Sequence, residues 1–370
     1  MDDAPVALRA EIDLGAIRHN VRQLAARRGD EVVGVVKADA YGHGAVPVAK
    51  TLVDEGVGRL AVATLPEAVE LREAGVEARI LVLAAPLAEF LPAYETWGLE
   101  AVASSAEVAE AMAERAFGQP VHVKVDTGMH RIGLAPDDAA TFVRRLQAAG
   151  VPVEAVWTHL ATADAPDPGF ALEQVKRFDG VLRDLGADAP PLVHVANGPA
   201  HVRLPSLTSR PALVRLGGVL YGIDSDRSMA SATARLRPAM RLVTRVLHLQ
   251  TVPPGESVSY GRTWVAERPT RVATLGVGYA DGLPRSLSNR GGVGIGGALY
   301  PVAGRVCMDM TMVALGDPDG LASQVRVGDE AVVFGTGGLS VEALADAAGT
   351  MAYELTAGLT ARVRRVFSED

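Results

Sequence analysis

From Val32 to about Gly217 the chain repeats one unit, a short and nearly unbroken aliphatic run followed by an Ala-, Leu- and Glu-rich stretch of helical period. The runs are 32–36, 59–63, 79–84, 99–103, 121–125, 153–158, 192–196 and 212–216, and the stretches 46–55, 66–74, 87–97, 106–116, 137–149 and 169–185 read as helices between most of them. A further amphipathic stretch, 14–26, precedes the first run. Strands that are apolar without alternation belong to a parallel sheet covered on both faces. Eight strand–helix units in succession predict an α/β fold built on a (β/α)8 barrel of TIM type. The competing arrangement, a doubly wound open sheet, needs a glycine-rich phosphate turn after its first strand. Here that position carries Lys37.

After about Pro238 the period changes to alternation, in 241–251, 270–278, 292–295, 300–304, 310–315 and 330–334, with one helix at 341–348. Pro253-Pro254-Gly255, Asp281-Gly282 and Gly296-Gly297 punctuate these segments as turns. We therefore expect a barrel over residues 8–236 and a mostly-β domain over 237–370, joined by residues 1–7. Gly292-x-Gly294-x-x-Gly297 matches a dinucleotide fingerprint by letter, but no helix opens after it, so it reads as a hairpin.

Composition excludes several classes. The net charge is −8 with acids and bases interspersed, which leaves no basic footprint for nucleic acid. A single cysteine, Cys307, forbids an internal disulfide and any multi-thiolate metal site, and no metal is expected. Cys307 itself reads as a small buried residue. The polar start, Met1 to Ala10, and apolar runs too short for a bilayer point to a cytoplasmic protein without a membrane partner.

The residues just beyond the strands carry the chemistry, because barrel active sites gather at the strands' C-terminal ends. Lys37 ends the first strand, where partial desolvation favours a neutral amine suited to Schiff-base formation. Tyr41, Gly42 and Gly44 follow it closely. Lys124 and Asp126 end the fifth strand, His159 the sixth, Asn197 the seventh, and Arg215 and Gly217 the eighth. Asn197-Gly198 and Gly217-Gly218 occupy the two loops that bind phosphate in many barrels, through backbone N–H groups.

The chain resembles the alanine racemases, fold-type III pyridoxal-phosphate enzymes, over nearly its whole length. The likeness rests on 36–44 (VKADAYGHG), 124–133 (KVDTGMHRIG), 158–164 (THLATAD), 258–261 (VSYG), 278–282 (GYADG) and 304–309 (GRVCMD), in that order. It implies an N-terminal barrel, a C-terminal β domain and a head-to-tail homodimer with shared active sites. Lys37 would hold the cofactor, pyridoxal 5'-phosphate, and Tyr260 would reach in from the partner chain as the second catalytic base. Tyr41, Tyr353 and the backbone at Asn197, Gly198, Gly217 and Gly218 would hold the phosphate. Arg215, supported by His159, would face the pyridine nitrogen. Arg131, oriented by Lys124, which is often carbamylated in the family, would face the cofactor's phenolic oxygen and the substrate carboxylate. Met308 would offer its backbone N–H to that carboxylate, with Cys307 and the turn residue Asp309 beside it. Asp164, Arg285 and Arg305 would line a polar access corridor. The chain departs from the family in carrying Gly198 where a serine is usual, and Arg215-Leu216-Gly217-Gly218 where Arg-Pro-Gly-aliphatic is usual.

The implied reaction is the interconversion of L- and D-alanine, supplying D-alanine for bacterial cell-wall peptidoglycan. Racemisation removes an α-proton from one face and returns one to the other, most simply with two bases, Lys37 and Tyr260. A tyrosine needs a nearby cation to act as a base near neutral pH. An arginine can only donate, so Arg215 would leave the ring nitrogen unprotonated and weaken the electron sink. Alternatives are a broader small-amino-acid racemase acting also on serine, a fold-type III decarboxylase, and a pyridoxal-phosphate carrier. Arg215 speaks against the decarboxylase and Cys307 keeps it open. The β domain speaks against the carrier.

Overall fold

The computed structural model describes residues 7–26, 31–204, 207–208 and 210–369. The chain divides into two compact units. One comprises Ile17–Gly222 and Asp226–Arg237, and the other comprises residues 7–16, Ile223–Ser225 and residues 238–369.

The first unit is the barrel. Parallel strands Arg79–Val82, Arg59–Val62, Glu31–Val35 and Leu213–Leu216 pair in that order, and Ala101–Ala103, Val121–Lys124, Val153–Trp157 and Leu192–His194 form a second run. Bridges Leu81–Glu100 and Val193–Ala212 join the runs at both ends, so the ring closes. All eight aliphatic runs become these strands, with ends that shift by a residue or two: six stop earlier, where the chain turns into the loop, and 99–103 and 212–216 start later. Helices Ala45–Asp54, Leu65–Glu73, Leu91–Trp97, Ala106–Glu114, Pro136–Ala148 and Gly169–Leu185 alternate with them.

Helix Leu14–Ala25 buries Ile17, Val21 and Leu24, spaced to share one face. Its buried Asn20 donates from Nδ2 to Leu220 O and Arg237 O, and accepts from Arg237 N. The helix preceding strand one is thereby tied to the segments following strand eight, where the strand–helix rhythm supplies no long helix of its own.

Inside the ring, Val33, Val35, Ala61, Leu81, Val102, Trp157 and Leu213 form an apolar middle layer. Beneath it, at the strands' N-terminal ends, lies a charged floor that sequence reading did not single out. Arg59, 1% exposed, pairs with Glu154 at 2.6 Å, Glu100 at 3.1 Å and Glu31 at 3.5 Å. Arg79 engages both Glu100 and Glu154. His122 donates from Nε2 to Glu100 at 2.9 Å, and its Nδ1 lies 2.9 Å from His194 Nε2. Glu100, His122 and Glu154 converge closely enough to suit a cation, and the two guanidinium groups take that place.

Burial would raise the Glu100 carboxyl, but His122, Arg59 and Arg79 outweigh it and hold the group below its ordinary value. Its stabilisation is therefore complete above the unfolded value near 4.3 and is lost as pH falls through the depressed native one. Glu100→Gln should cost about 1–3 kcal/mol at pH 7, because it removes the carboxylate charge that Arg59, Arg79 and His122 share while Glu154 still pairs with both guanidinium groups. Urea unfolding at pH 7 and at pH 4 measures this. An unchanged midpoint at pH 7 would mean that the floor contributes nothing net.

The second unit is built on a mixed sheet. Strands Ala298–Pro301, Gly292–Ile295, Glu330–Phe334, Met240–Val252, Arg9–Asp13 and Arg364–Ser368 pair in that order. Thr270–Leu275 pairs with Met240–Val252, and Thr311–Gly316 with Thr270–Leu275. Residues 8–16 thus cluster with the β unit, not with the barrel range 8–236. Arg9–Asp13 runs antiparallel to Met240–Val252 and parallel to Arg364–Ser368, a pairing between chain ends that no local pattern announces. Gly292–Ile295 and Ala298–Pro301 form a hairpin closed by Gly296 and Gly297, both at positive φ, so the fingerprint-like glycines serve a tight turn. Helices Val341–Ala348 and Ala352–Ala357 follow. No helix among the described residues is long and apolar enough to cross a membrane.

Candidate active site

At the C-terminal end of the barrel, Val36 continues strand one, its N–H bonded to Ala61 O, and delivers Lys37. The chain then makes an unusual turn. Ala38, Asp39, Ala40 and Tyr41 all lie near φ 51–55°, the mirror image of the helical region. Glu67 fixes the start of this turn by accepting from Ala38 N at 2.7 Å, and Asp39 fixes the end by accepting from Ala45 N at 2.7 Å. His43 stacks on Tyr221 at 4.5 Å, and Tyr221 donates to Val35 O. Burial and the charge of Arg131 push the half-buried Lys37 amine below its ordinary value, against the pull of Glu67.

Strand five ends in buried Lys124, whose Nζ donates to Val125 O at 2.8 Å and lies over the Trp157 ring. Burial, with Arg215 and Arg131, lowers this amine to about 7 against the attraction of Asp126. The loop that follows folds around Asp126, which accepts from the N–H groups of Gly128, Met129 and His130. Those bonds outweigh burial and keep its carboxyl below the usual range. Leu134 then returns to pair with Val125, so Arg131 sits at the tip of a closed loop, exposed on its own chain.

Arg215, 4% exposed on strand eight, donates from Nη2 to Thr158 O at 2.9 Å, to His159 Nδ1 at 3.2 Å and to Val195 O at 3.4 Å. Its guanidinium also covers Trp157. Burial and Arg131 lower it to about 9. Burial and the surrounding cations drive His159 far below its usual value, so the ring is neutral and free to accept at Nδ1. Arg215 Nη1 is buried without a hydrogen-bond partner. Gln174, fully buried, braces this end by donating to His159 O and accepting from Ala161 N.

Asn197 caps helix Gly198–Arg203 by accepting from Ala200 N. Gly217 and Gly218 follow strand eight. A Cβ on Gly217 would lie 2.5 Å from the Tyr41 hydroxyl, so only glycine lets that hydroxyl close on the backbone. Burial pushes the Tyr41 hydroxyl up to about 12 and keeps it protonated. Asp164 is held by its main chain, Arg203 Nη1 donating to its carbonyl.

Lys37, Lys124, Arg131 and Arg215 therefore crowd one end of the barrel. The two neighbouring carboxylates, Glu67 and Asp126, are taken up by backbone N–H groups. Such a cluster suits a ligand that brings negative charge and a carbonyl for an amine.

The remaining expected residues lie in the β unit. Tyr260 is 71% exposed, in the turn Tyr260–Arg262 after the small hairpin of Ser257–Val258 and Trp264–Val265. Arg305 packs against Gly261. Ser259 donates to Arg305 O at 2.6 Å and lies 3.4 Å from Cys307 Sγ, leaving Cys307 half-buried and not deep in the core. Tyr279 N and Ala280 N bond to Cys307 O and Met308 O, which presents Met308 on the surface. Asp309 pairs with Arg362 at 2.8 Å. Arg285 and Arg305 line a cleft of about 410 Å³ with Arg290, Asn289 and Thr263. Tyr353 lies on helix Ala352–Ala357, in a different unit from Tyr41.

The family profiles described as "Alanine racemase, N-terminal domain" and "Alanine racemase, C-terminal domain" match residues 12–225 and 239–367. The alanine racemase of Halothermothrix orenii is 41% identical, over 97% of this chain and 96% of its own length. Among solved structures, the alanine racemase of Clostridium difficile 630 superposes with a TM-score of 0.91 at 34% identity, covering 99% of this chain and 97% of its own. The biosynthetic alanine racemase of Pseudomonas aeruginosa does so with 0.90 at 37% identity, covering 98% and 100%. With both domains matched and a barrel that ends in this cationic cluster, the chain belongs to the alanine racemase family.

Proposed function

We propose that the chain interconverts L-alanine and D-alanine with pyridoxal 5'-phosphate, and so supplies D-alanine for peptidoglycan. The observation that carries this reading is the buried, unpartnered Nη1 of Arg215 at the same barrel end as Lys37, whose amine burial and Arg131 push below its ordinary value. An orphaned donor in a buried site calls for a ligand acceptor. The ring nitrogen of pyridoxal phosphate is one, its aldehyde suits Lys37, and its phenolic oxygen suits Arg131. Once bound, the cofactor stabilises the negative charge left when an α-proton departs.

The chain's own groups do the rest. Lys37 would hold the cofactor's aldehyde and, as a free amine, would take or return the α-proton on one face. Arg131 orients the substrate carboxylate. Arg215, fixed by three acceptors, would offer its free Nη1 as a donor to the cofactor's ring nitrogen. A carbamate on Lys124, accessible to an amine lowered to about 7, would turn that cation into an anion that holds Arg131. Tyr260 of the partner subunit serves the opposite face, with Arg305 as the nearby cation and Met308 beside it. The exposure of Tyr260, Tyr279, Met308 and Met310 on one unit supports a dimer in which these residues are covered.

The test is incubation with L-alanine in deuterium oxide, reading D-alanine, α-deuterium and carbon dioxide. Racemisation yields D-alanine carrying deuterium, and Tyr260→Phe should slow wash-in from the two enantiomers unequally. Carbon dioxide without D-alanine would make the protein a decarboxylase, and neither product would leave it a carrier.

A further inference from the structure

Gly198 and Val219 come from the loops after barrel strands seven and eight. A Cβ placed on Gly198 would lie 2.8 Å from Val219 Cγ2 and 3.3 Å from Cγ1. Close-packed interiors do not allow such an approach, so the Val219 isopropyl group already fills the volume a side chain at 198 would use. Neither partner can yield easily. Val219 is 1% exposed, in the turn Gly218–Tyr221, and its branched side chain has little torsional freedom. Gly198 is held by its neighbours: Asn197 accepts from Ala200 N and His201 N, and the His201 ring lies 3.0 Å from Leu24 O. Beside it, Gly217 is closed to side chains by a polar group, the Tyr41 hydroxyl.

We propose that Val219 determines the chemistry of this wall. It excludes a hydroxyl at position 198 and leaves a bound phosphate to backbone N–H groups and the Tyr41 hydroxyl. Gly198 and Val219 form one size-complementary pair, so the absence of the family's usual serine is a property of two residues, not one. This rests on the site being a pyridoxal-phosphate pocket.

The experiment uses cofactor-free protein, titrated by equilibrium dialysis with pyridoxal 5'-phosphate, with pyridoxal and with inorganic phosphate. The proteins are the parent, Gly198→Ser, Val219→Ala and the double variant. Gly198→Ser alone should weaken pyridoxal phosphate on the order of tenfold, and Val219→Ala alone by about threefold. The double variant should bind within about twofold of the parent or more tightly, a strong departure from additivity. Inorganic phosphate should follow the same order, and pyridoxal, which lacks the phosphate, should stay nearly constant. Gly198→Ala, with and without Val219→Ala, separates bulk from hydroxyl: it should collide as serine does, and its rescue should bring no tightening beyond the parent. Additive losses, or equal shifts for pyridoxal, overturn the pairing and leave the racemase reading standing. A parent protein that binds no pyridoxal phosphate overturns both.

Discussion

Replacing Lys37 with alanine should leave a folded barrel that neither retains pyridoxal phosphate through dialysis nor racemises alanine. The side chain emerges from a strand end that other groups hold in place, through Val36 N–Ala61 O, Ala38 N–Glu67 and Ala45 N–Asp39. Its removal should therefore cost little stability. Its amine is pushed toward neutrality by burial and by Arg131, the state needed to attack an aldehyde. The chain has four lysines, Lys37, Lys50, Lys124 and Lys176, so few others could take over. Of these, Lys124 is the rival, because it is buried in the same cluster with an amine lowered to about 7. Visible absorbance after dialysis, D-alanine formation and borohydride-fixed label on tryptic peptides are the readouts. Label fixed on the peptide containing Lys124 in the Lys37→Ala protein would move the covalent site there and sink the assignment of Lys37.

Mixing two inactive variants should restore activity if sites are shared between chains. Lys37 belongs to the barrel unit and Tyr260 to the β unit. In a head-to-tail dimer each site would take Lys37 from one chain and Tyr260 from the other. A mixed dimer of Lys37→Ala and Tyr260→Ala subunits then holds one site with both lesions and one with neither. Random pairing makes half the dimers mixed, so the recovery should reach about a quarter of the parent's activity. Isotope-labelled subunits followed by native mass spectrometry establish that exchange has occurred. Zero activity in a sample that is demonstrably half mixed would place both bases within one chain.

Much of this architecture was legible because its signals are local. Eight aliphatic runs became eight barrel strands, and Gly292–Ile295, Glu330–Phe334 and Val341–Ala348 took the bounds that their patterns predicted. Glycine spacing without a following helix separated a hairpin from a nucleotide fingerprint. What stayed hidden depends on residues far apart in sequence. The floor joins Arg59, Arg79, Glu100, His122 and Glu154 from different strands, each of which looks alone like an ordinary strand-end polar residue. Arg9–Asp13 looks like the start of the barrel and pairs instead with strands more than two hundred residues away. Gly198 is visible as a departure from the family. That Val219 fills the vacated space needs coordinates, since the contact crosses two loops.

The mirror-image turn after Lys37 bears on how the reacting amine can move. Each L-residue in that region costs about 1–2 kcal/mol, and Ala38, Asp39, Ala40 and Tyr41 occupy it together. The cost is met by fixed partners on both flanks, including Ala40 N–Val36 O and Gly44 N–Asp39 O. Such a segment is a stiff mount and not a hinge. In the proposed function the Lys37 nitrogen would move between cofactor and substrate by rotation about its own side-chain bonds, with no help from the main chain. Its reach is set by the number of methylenes in the tether. Errors of about 1 Å can cost a hundredfold in rate, so no amine on a shorter or longer arm at this position could inherit the role.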